Sequence, residues 1–225
     1  MLSIVIPTLN CERALGPTLE ALVPGAVSGL VSQLVISDGG STDATLAIAD
    51  AVGAEVVEGA PGRGMQLARG ADAARGRWLL FLHADTVLAP NWTDRIRQFI
   101  DEGGEARAAS FRYRLDDRRL RARIVEKVVA LRCLLAVLPY GDQGLLISRR
   151  LYDELGGYRR IVLMEDVDLV RRIGRRRLDM LAHDAVTSAE RYRRGGYLRC
   201  TTRNLACLGL WYAGMAPDRI ARIYR

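Results

Sequence analysis

The first third of the chain predicts an α/β fold, a mostly parallel sheet flanked by helices, on three observations. Short apolar runs of strand character alternate with helical stretches. Each run is nearly continuous in hydrophobicity, as in a strand buried on both faces. Polar and glycine residues collect at the end of each run, where an open α/β sheet binds ligands. The chain has 225 residues, 49% hydrophobic and 26% charged. That supports one core with no compositional gap for another, so a single domain over 1–225 is expected.

In order, Leu2–Ile6 reads as a strand and Glu12–Val23 as a helix. The unit repeats with Gln33–Ile36 and Thr42–Val52, then with Glu55–Val57 and Gly64–Arg75, and Arg77–Leu82 supplies a fourth strand. The rest is less regular. Ala106–Leu115 alternates like an edge or antiparallel strand, Arg118–Leu138 is a long amphipathic helix ended by Pro139, and Gly141–Ser148 gives a loop and a buried strand. Leu151–Gly157 and Glu165–Ile173 read as helices, and a helical carboxyl-terminal region follows around Tyr197–Ala213 and Asp218–Tyr224. Residues 1–104 thus form a ligand-binding half and 105–225 a second half.

Composition narrows the partners. The 33 Lys+Arg against 26 Asp+Glu leave a charge of +7, which suits anionic ligands. The arginines are dispersed, with no aromatic-interleaved basic motif, so no nucleic-acid partner is expected. Cysteines 11, 133, 200 and 207 lack metal-ligand spacing and read as reduced structural thiols. The longest apolar run, Val128–Leu138, is broken by Arg132 and is too short to span a bilayer. No basic leader precedes residues 2–6, so a cytoplasmic location is expected. Peripheral contact with an anionic membrane through Arg118–Leu138 is the alternative, though core packing explains its apolar face more simply.

Right-handed crossovers place the four strand ends on one edge. Pro7-Thr8-Leu9-Asn10, Ser37-Asp38-Gly39-Gly40-Ser41-Thr42-Asp43, Gly59–Gly64 and His83-Ala84-Asp85-Thr86 lie there. Neither a dinucleotide fingerprint nor a P-loop follows the first strand, which excludes both of those ligand modes. Pro7, Thr8 and Asn10 make a rigid polar turn that either touches a base or ribose or simply joins strand to helix. Asp38 either accepts the imide N–H of a uracil or belongs to a glycine turn that caps a helix. Arg63 either reaches a phosphate or base or is a solvated arginine.

Asp85 follows the buried run Leu79–Leu82 into the mouth of the sheet. A carboxylate there can hold a divalent cation that neutralises a diphosphate leaving group; otherwise it caps a helix near Pro90. His83 ligates that metal, touches ribose or orients Asp85. Glu165-Asp166-Val167-Asp168 sets three carboxylates at a helix start. Neighbours on a helix diverge by about 100°, so only one of Glu165 and Asp166 faces a given hydroxyl. Repulsion and burial raise a carboxyl pKa toward the general-base range, and the helix amino end lowers it; dipole compensation alone is the alternative. Tyr140-Gly141-Asp142-Gln143-Gly144 is a pocket-lining turn or a simple loop, and His183 reads as structural.

Four ordered segments resemble glycosyltransferase family 2 with the GT-A fold, a Rossmann-like sheet: Ile4–Asn10, Val35–Asp43, Phe81–Thr86 and Met164–Leu169. The variants His83-Ala84-Asp85-Thr86 and Pro139–Gly144 resemble a compact bacterial subgroup, the radical-SAM/selenodomain-associated or arsenosugar-biosynthesis-type transferases. The resemblance implies inverting transfer from a nucleotide-diphosphate sugar, a UDP-sugar first, to a small-molecule or lipid acceptor, with Mn²⁺ or Mg²⁺ on the diphosphate. It implies Asp38 on the base, Asp85 on the metal, and Asp166 as base catalyst with Glu165 in support. Pro7, Thr8, Asn10, Arg63, His83 and Ala84 would surround the donor, and Asp142 and Gln143 the acceptor. His83 departs from the family's usual D-x-D, which either favours Mn²⁺ or removes that position from the metal. A non-catalytic nucleotide-sugar or partner-binding protein is the reading that departure motivates.

Overall fold

The computed structural model describes residues 1–224; residue 225, the last of the expected domain, lies outside the described residues. The expected alternation is present as β1 (Leu2–Thr8), α1 (Glu12–Val27), β2 (Val31–Asp38), α2 (Thr45–Ala51), β3 (Glu55–Glu58), α3 (Arg63–Ala73) and β4 (Trp78–Phe81). Then follow β5 (Thr86–Leu88), α4 (Trp92–Gly103), β6 (Ala108–Leu115), α5 (Leu120–Ala136), a 3-10 turn at Gly141–Gln143, β7 (Leu145–Ser148) and α6 (Arg149–Glu154). The chain ends with α7 (Glu165–Ile173), β8 (Leu178–Thr187), α8 (Glu190–Gly195), α9 (Tyr197–Tyr212) and α10 (Pro217–Tyr224).

All eight strands join one sheet in the order β3-β2-β1-β4-β7-β6-β8-β5. β3, β2, β1 and β4 are parallel neighbours, as are β6 and β8, while β7 and β5 run against the strands they pair with. This is the mostly parallel, helix-flanked sheet of the GT-A fold. Because side chains alternate across a strand, β1 feeds two cores at once. Val5 packs with Val35, Leu79 and Phe81 under α3 and α7. Ile4 and Ile6 pack on the opposite face with Ile36, Leu80, α1 and α4. Each of these fully buried aliphatic side chains contributes about 1.5–3 kcal/mol.

Three departures from the sequence reading have local causes. α1 continues four residues past Val23, through Pro24, and the Trp92 indole donates to the Ala21 carbonyl beside this extension at 2.8 Å. The same ring lies where a side chain at Gly25 would be, so only glycine admits it. The short β5 and the long β8 had no visible pattern. β8 carries Asp179 and Asp184, which pair with Arg107, just before the neighbouring β6, and with Arg112 on it. His183 Nε2 donates to the Ala89 carbonyl at 3.0 Å, a structural role. Thirdly, α5 buries Ala122, Val125 and Cys133 but leaves five large aliphatic side chains exposed, so core packing does not account for its apolar face. Among the described residues, no helix is long and apolar enough to cross a membrane, and no cysteine is paired.

Candidate active site

One cavity of about 870 Å³ opens at the carboxyl ends of β1 and β4. Pro7, Thr8, Asn10, Arg63, His83, Ala84, Asp85, Asp142, Glu165 and Asp166 all line it, so ten of the residues expected from the sequence meet there. Asp38 and Gln143 do not.

Asp38 ends β2 opposite Thr8 of β1 and is fully buried. Its Oδ1 accepts the Thr8 hydroxyl at 2.7 Å and the Ser41 hydroxyl at 2.6 Å; its Oδ2 accepts the Gly40 and Ser41 amides at 2.7 and 2.6 Å. Burial raises its pKa, and these four bonds together outweigh it and hold the carboxylate below its usual value. With both oxygens occupied inside the loop, Asp38 shapes the loop rather than facing a base. Gln143 is corrected in the same way. Its Oε1 accepts Arg132 at 3.1 Å and the Tyr140 amide at 3.3 Å, and its Nε2 donates to the Phe111 carbonyl at 2.9 Å. At 1% exposure it pins a loop, and no atom is left for an acceptor.

Asp85 is positioned by a pairing that the sequence hides. β5 begins at the next residue and pairs with the end of β8, with the Thr86 and Thr187 hydroxyls 2.8 Å apart and the Ser188 amide donating to the Asp85 carbonyl at 3.2 Å. Burial raises the Asp85 pKa against the pull of Arg63 and Arg191. Burial first, then the same two arginines, hold His83 well below its ordinary pKa, so its imidazole is neutral. His83 Nε2 is buried without a hydrogen-bond partner and faces Gly141, where an added Cβ would approach it to 2.6 Å.

The carboxylates of α7 divide their work. Asp168 is buried in ion pairs with Arg172 at 2.5 Å and Arg159 at 3.1 Å and takes no part in the cavity. Asp166 Oδ2 accepts the Gly141 amide at 2.8 Å, and its Oδ1 accepts the Val167 amide at 2.7 Å. Glu165 is 1% exposed; burial and then Asp166 raise its pKa, opposed by Arg63, whose Nε is 3.6 Å from Glu165 Oε1. Asp142 Oδ1 is buried and unpartnered, and burial, with Asp166 and Asp85 adding, pushes its pKa up to about 6. Two cavity residues, Asn10 and Met164, hold positive φ of 49° and 67° outside glycine. Such strain costs about 1 kcal/mol or more and persists where the surroundings impose it.

Among the described residues, no three His, Cys, Asp or Glu side chains are placed to enclose a metal ion. The residues present still fit a hard divalent cation that takes most of its oxygens from a diphosphate and water. Asp85 is a partly exposed carboxylate in the wall, and the mutual repulsion seen at Asp142 and Glu165 marks a cavity that favours a cation. The sequence reading missed Arg191, Arg194, Tyr113, Tyr192, Asn204 and Tyr224, which also line the cavity. Arg191, Arg194, Arg199 and Arg203 further surround an adjoining cavity that shares Asp85. The Glu190–Gly196 run, basic and closed by two glycines, was their signal; it was diluted among 33 basic residues.

The edge of the parallel sheet thus gathers carboxylates and arginines over polar strand-end loops, the position where an open α/β sheet binds ligands. The glycosyl transferase family 2 model matches residues 3–157, more than half of the chain, and the chain belongs to that family. It is 36% identical over 95 residues to a glucosyl-3-phosphoglycerate synthase of Mycolicibacterium paratuberculosis, covering 38% of this chain and 29% of the relative. It is 38% identical over 110 residues to a PGL/p-HBAD biosynthesis glycosyltransferase of Mycobacterium bovis, covering 45% and 42%. The matches thus span less than half the length of these curated relatives.

Among solved structures, the glucosyl-3-phosphoglycerate synthase of Mycobacterium tuberculosis with Mn²⁺ and uridine-diphosphate-glucose superposes with a TM-score of 0.62 at 25% identity, covering 91% of this chain and 77% of that one. S. aureus TarS (1-349) gives 0.66 at 17% identity, covering 99% and 69%, a likeness of fold alone.

Proposed function

We propose that this chain is an inverting, metal-assisted glycosyltransferase that moves a sugar from a nucleotide-diphosphate donor, a UDP-sugar first, to an acceptor hydroxyl. The observation that carries the reading is convergence: Asp85, Asp142, Glu165 and Asp166, from three separate segments, share one cavity with the Pro7–Asn10 loop. The neighbour bound to Mn²⁺ and uridine-diphosphate-glucose supports the donor and the cation. The segments His83–Thr86 and Pro139–Gly144 support the finer assignment to the radical-SAM/selenodomain-associated subgroup.

In this reading Pro7, Thr8 and Asn10 hold the nucleoside, and Arg63 and Arg191 face the diphosphate. Asp85, with His83 beside it, holds Mn²⁺ or Mg²⁺, which neutralises charge on the departing diphosphate. Asp166 receives the acceptor proton as the acceptor oxygen bonds to the anomeric carbon and the bond to the diphosphate breaks. Its two amide bonds take one lone pair on each oxygen, fix the carboxylate and leave lone pairs free for the hydroxyl. Glu165 and Asp142 complete the negative wall on the acceptor side.

The test is release of nucleoside diphosphate from UDP-, GDP- and dTDP-sugars across a broad acceptor set, with and without Mn²⁺. Asp166→Asn is expected to lower release by about 10²–10⁴-fold while calorimetry still shows UDP binding. His83, where the family's D-x-D usually has aspartate, supports a second reading, a nucleotide-sugar-binding protein without turnover. UDP binding with no release from any donor would decide for it.

A further inference from the structure

Helix α5 is apolar on two sides. Its inner side packs Ala122, Val125 and Cys133 into the structure, in part against Tyr113, Tyr192 and Cys200. Leu120, Ile124, Leu131, Leu134 and Leu135 point outward, between 53% and 74% exposed. At 100° per residue these five fall within a sector of about 100°, and Lys127 lies inside that sector between Ile124 and Leu131, so the stripe is apolar at both ends with one cation in its middle. Exposed apolar area of that kind marks an interaction surface rather than a solvated face.

The charge around the stripe has one sign. The only acid on α5 is Glu126, which is buried and paired with Arg114 and Arg123. Asp116 and Asp117, just before the helix, are held by Arg193 and by Tyr197. Arg121 and Lys127 are exposed on the helix, and Arg175 donates to the Leu135 carbonyl at its carboxyl end at 3.0 Å. None of these three has a carboxylate partner among the described residues.

We propose that the outer face of α5 docks on an anionic lipid bilayer, with the leucines among the acyl chains, Arg121 and Arg175 at the headgroups beside the stripe, and Lys127 extending its ammonium to the headgroups from within it. An apolar face that carries and borders cations without a free acid is the pattern of a helix that lies in a membrane interface. A second copy of the chain fits less well, since two-fold docking of the stripe sets Lys127 and the arginine rims against their own like charges. The consequence reaches the cavity. Arg132 of α5 stacks over the Tyr140 ring at 3.5 Å and donates to Gln143, so the helix carries the loop that bears Asp142. Docking holds the acceptor side of the cavity beside the lipid surface.

The test is flotation of the full chain with vesicles of phosphatidylcholine alone and of phosphatidylcholine mixed equally with phosphatidylglycerol. It reads binding without turnover, so its outcome is separate from that of the transfer reading. The protein is expected to float with the anionic vesicles at low salt and not with the neutral ones. The triple variant Leu131→Gln/Leu134→Gln/Leu135→Gln is expected to lose at least about tenfold in partitioning, with its thermal midpoint unchanged or raised. Arg121→Gln/Lys127→Gln is expected to lose about thirtyfold and to flatten the salt dependence. No flotation with anionic vesicles, flotation that the triple variant leaves intact, or an α5-dependent dimer by light scattering without vesicle binding overturns the proposal.

Discussion

The amino-terminal and carboxyl-terminal parts of the cavity are built by different means. On the side of β1, β2 and β3, loops are closed by their own hydrogen bonds: Asp38 bonds within its turn, and Asn10 accepts the Thr42 amide at 2.8 Å. Around the 3-10 turn and α7, ionisable atoms are left without hydrogen bonds: Asp142 Oδ1 and Glu165 Oε1 are buried and unbonded, with only Arg63 at 3.6 Å from the latter, and His83 Nε2 after β4 faces them in the same state. A self-satisfied loop gives a stable shape, and unsatisfied groups hold the capacity to react. In the proposed function, binding of the donor would rest on shape, and chemistry on groups that the fold keeps at a cost in stability.

This contrast can be broken by experiment, beginning with the largest effect. Asp85→Asn is expected to reduce turnover by about 10²–10³-fold and to abolish the Mn²⁺ dependence of UDP affinity measured by calorimetry. An unchanged metal dependence would remove Asp85 from the cation site. Gly141→Ala is next. Its Cβ would meet His83 Nε2 at 2.6 Å and press on the loop whose amide orients Asp166. Turnover should fall by about 100-fold with the circular dichroism spectrum retained.

Arg191→Ala is expected to raise the donor KM by about tenfold with a smaller change in kcat. An unaltered KM would mean that the arginines of α8 do not meet the donor.

The smallest effect concerns stability. The Asp142 carboxyl is raised to about 6 from an ordinary 3.8. Between those values the native state keeps a proton that the unfolded chain releases. Stability therefore falls as pH rises through that window, and the full penalty is present at neutral pH. Asp142→Asn should raise Tm by about 2–4 °C at pH 7.5 and change it little at pH 4. A Tm gain that does not grow with pH would show that Asp142 is not held at a cost.

Much of the fold was legible because β1 and β4 are buried on both faces, as β1 with Leu2, Ile4, Val5 and Ile6 fully buried illustrates. β8 was not legible. Its charges are satisfied by arginines on β6 some 70 positions away, for instance Arg112 with Asp184, and no local period records such a pairing. In the site, Asp85 and Asp166 were readable from the segments that deliver them. That Asp38 and Gln143 lie outside the cavity wall was not readable, because letters show that a side chain can bond, not that its bonds are already made within the fold. The outward leucines of α5 were misassigned for a related reason: periodicity reveals an apolar stripe but not which way it faces.

β5 is three residues long and lies at the outer edge of the sheet, beyond β8, although β4 immediately before it is central. The residues that bond across that last pair, Thr86 and Thr187, are 101 positions apart. A ribosome releasing this chain from its amino end therefore finishes the regular half of the sheet long before Asp85 has a fixed place. The loop that bears Asp85 waits for the synthesis of β8. For the same reason, a fragment cut near residue 104 should retain the loops after β1 and β2 and leave Asp85 without the strand that fixes it, so the two halves are not separate modules.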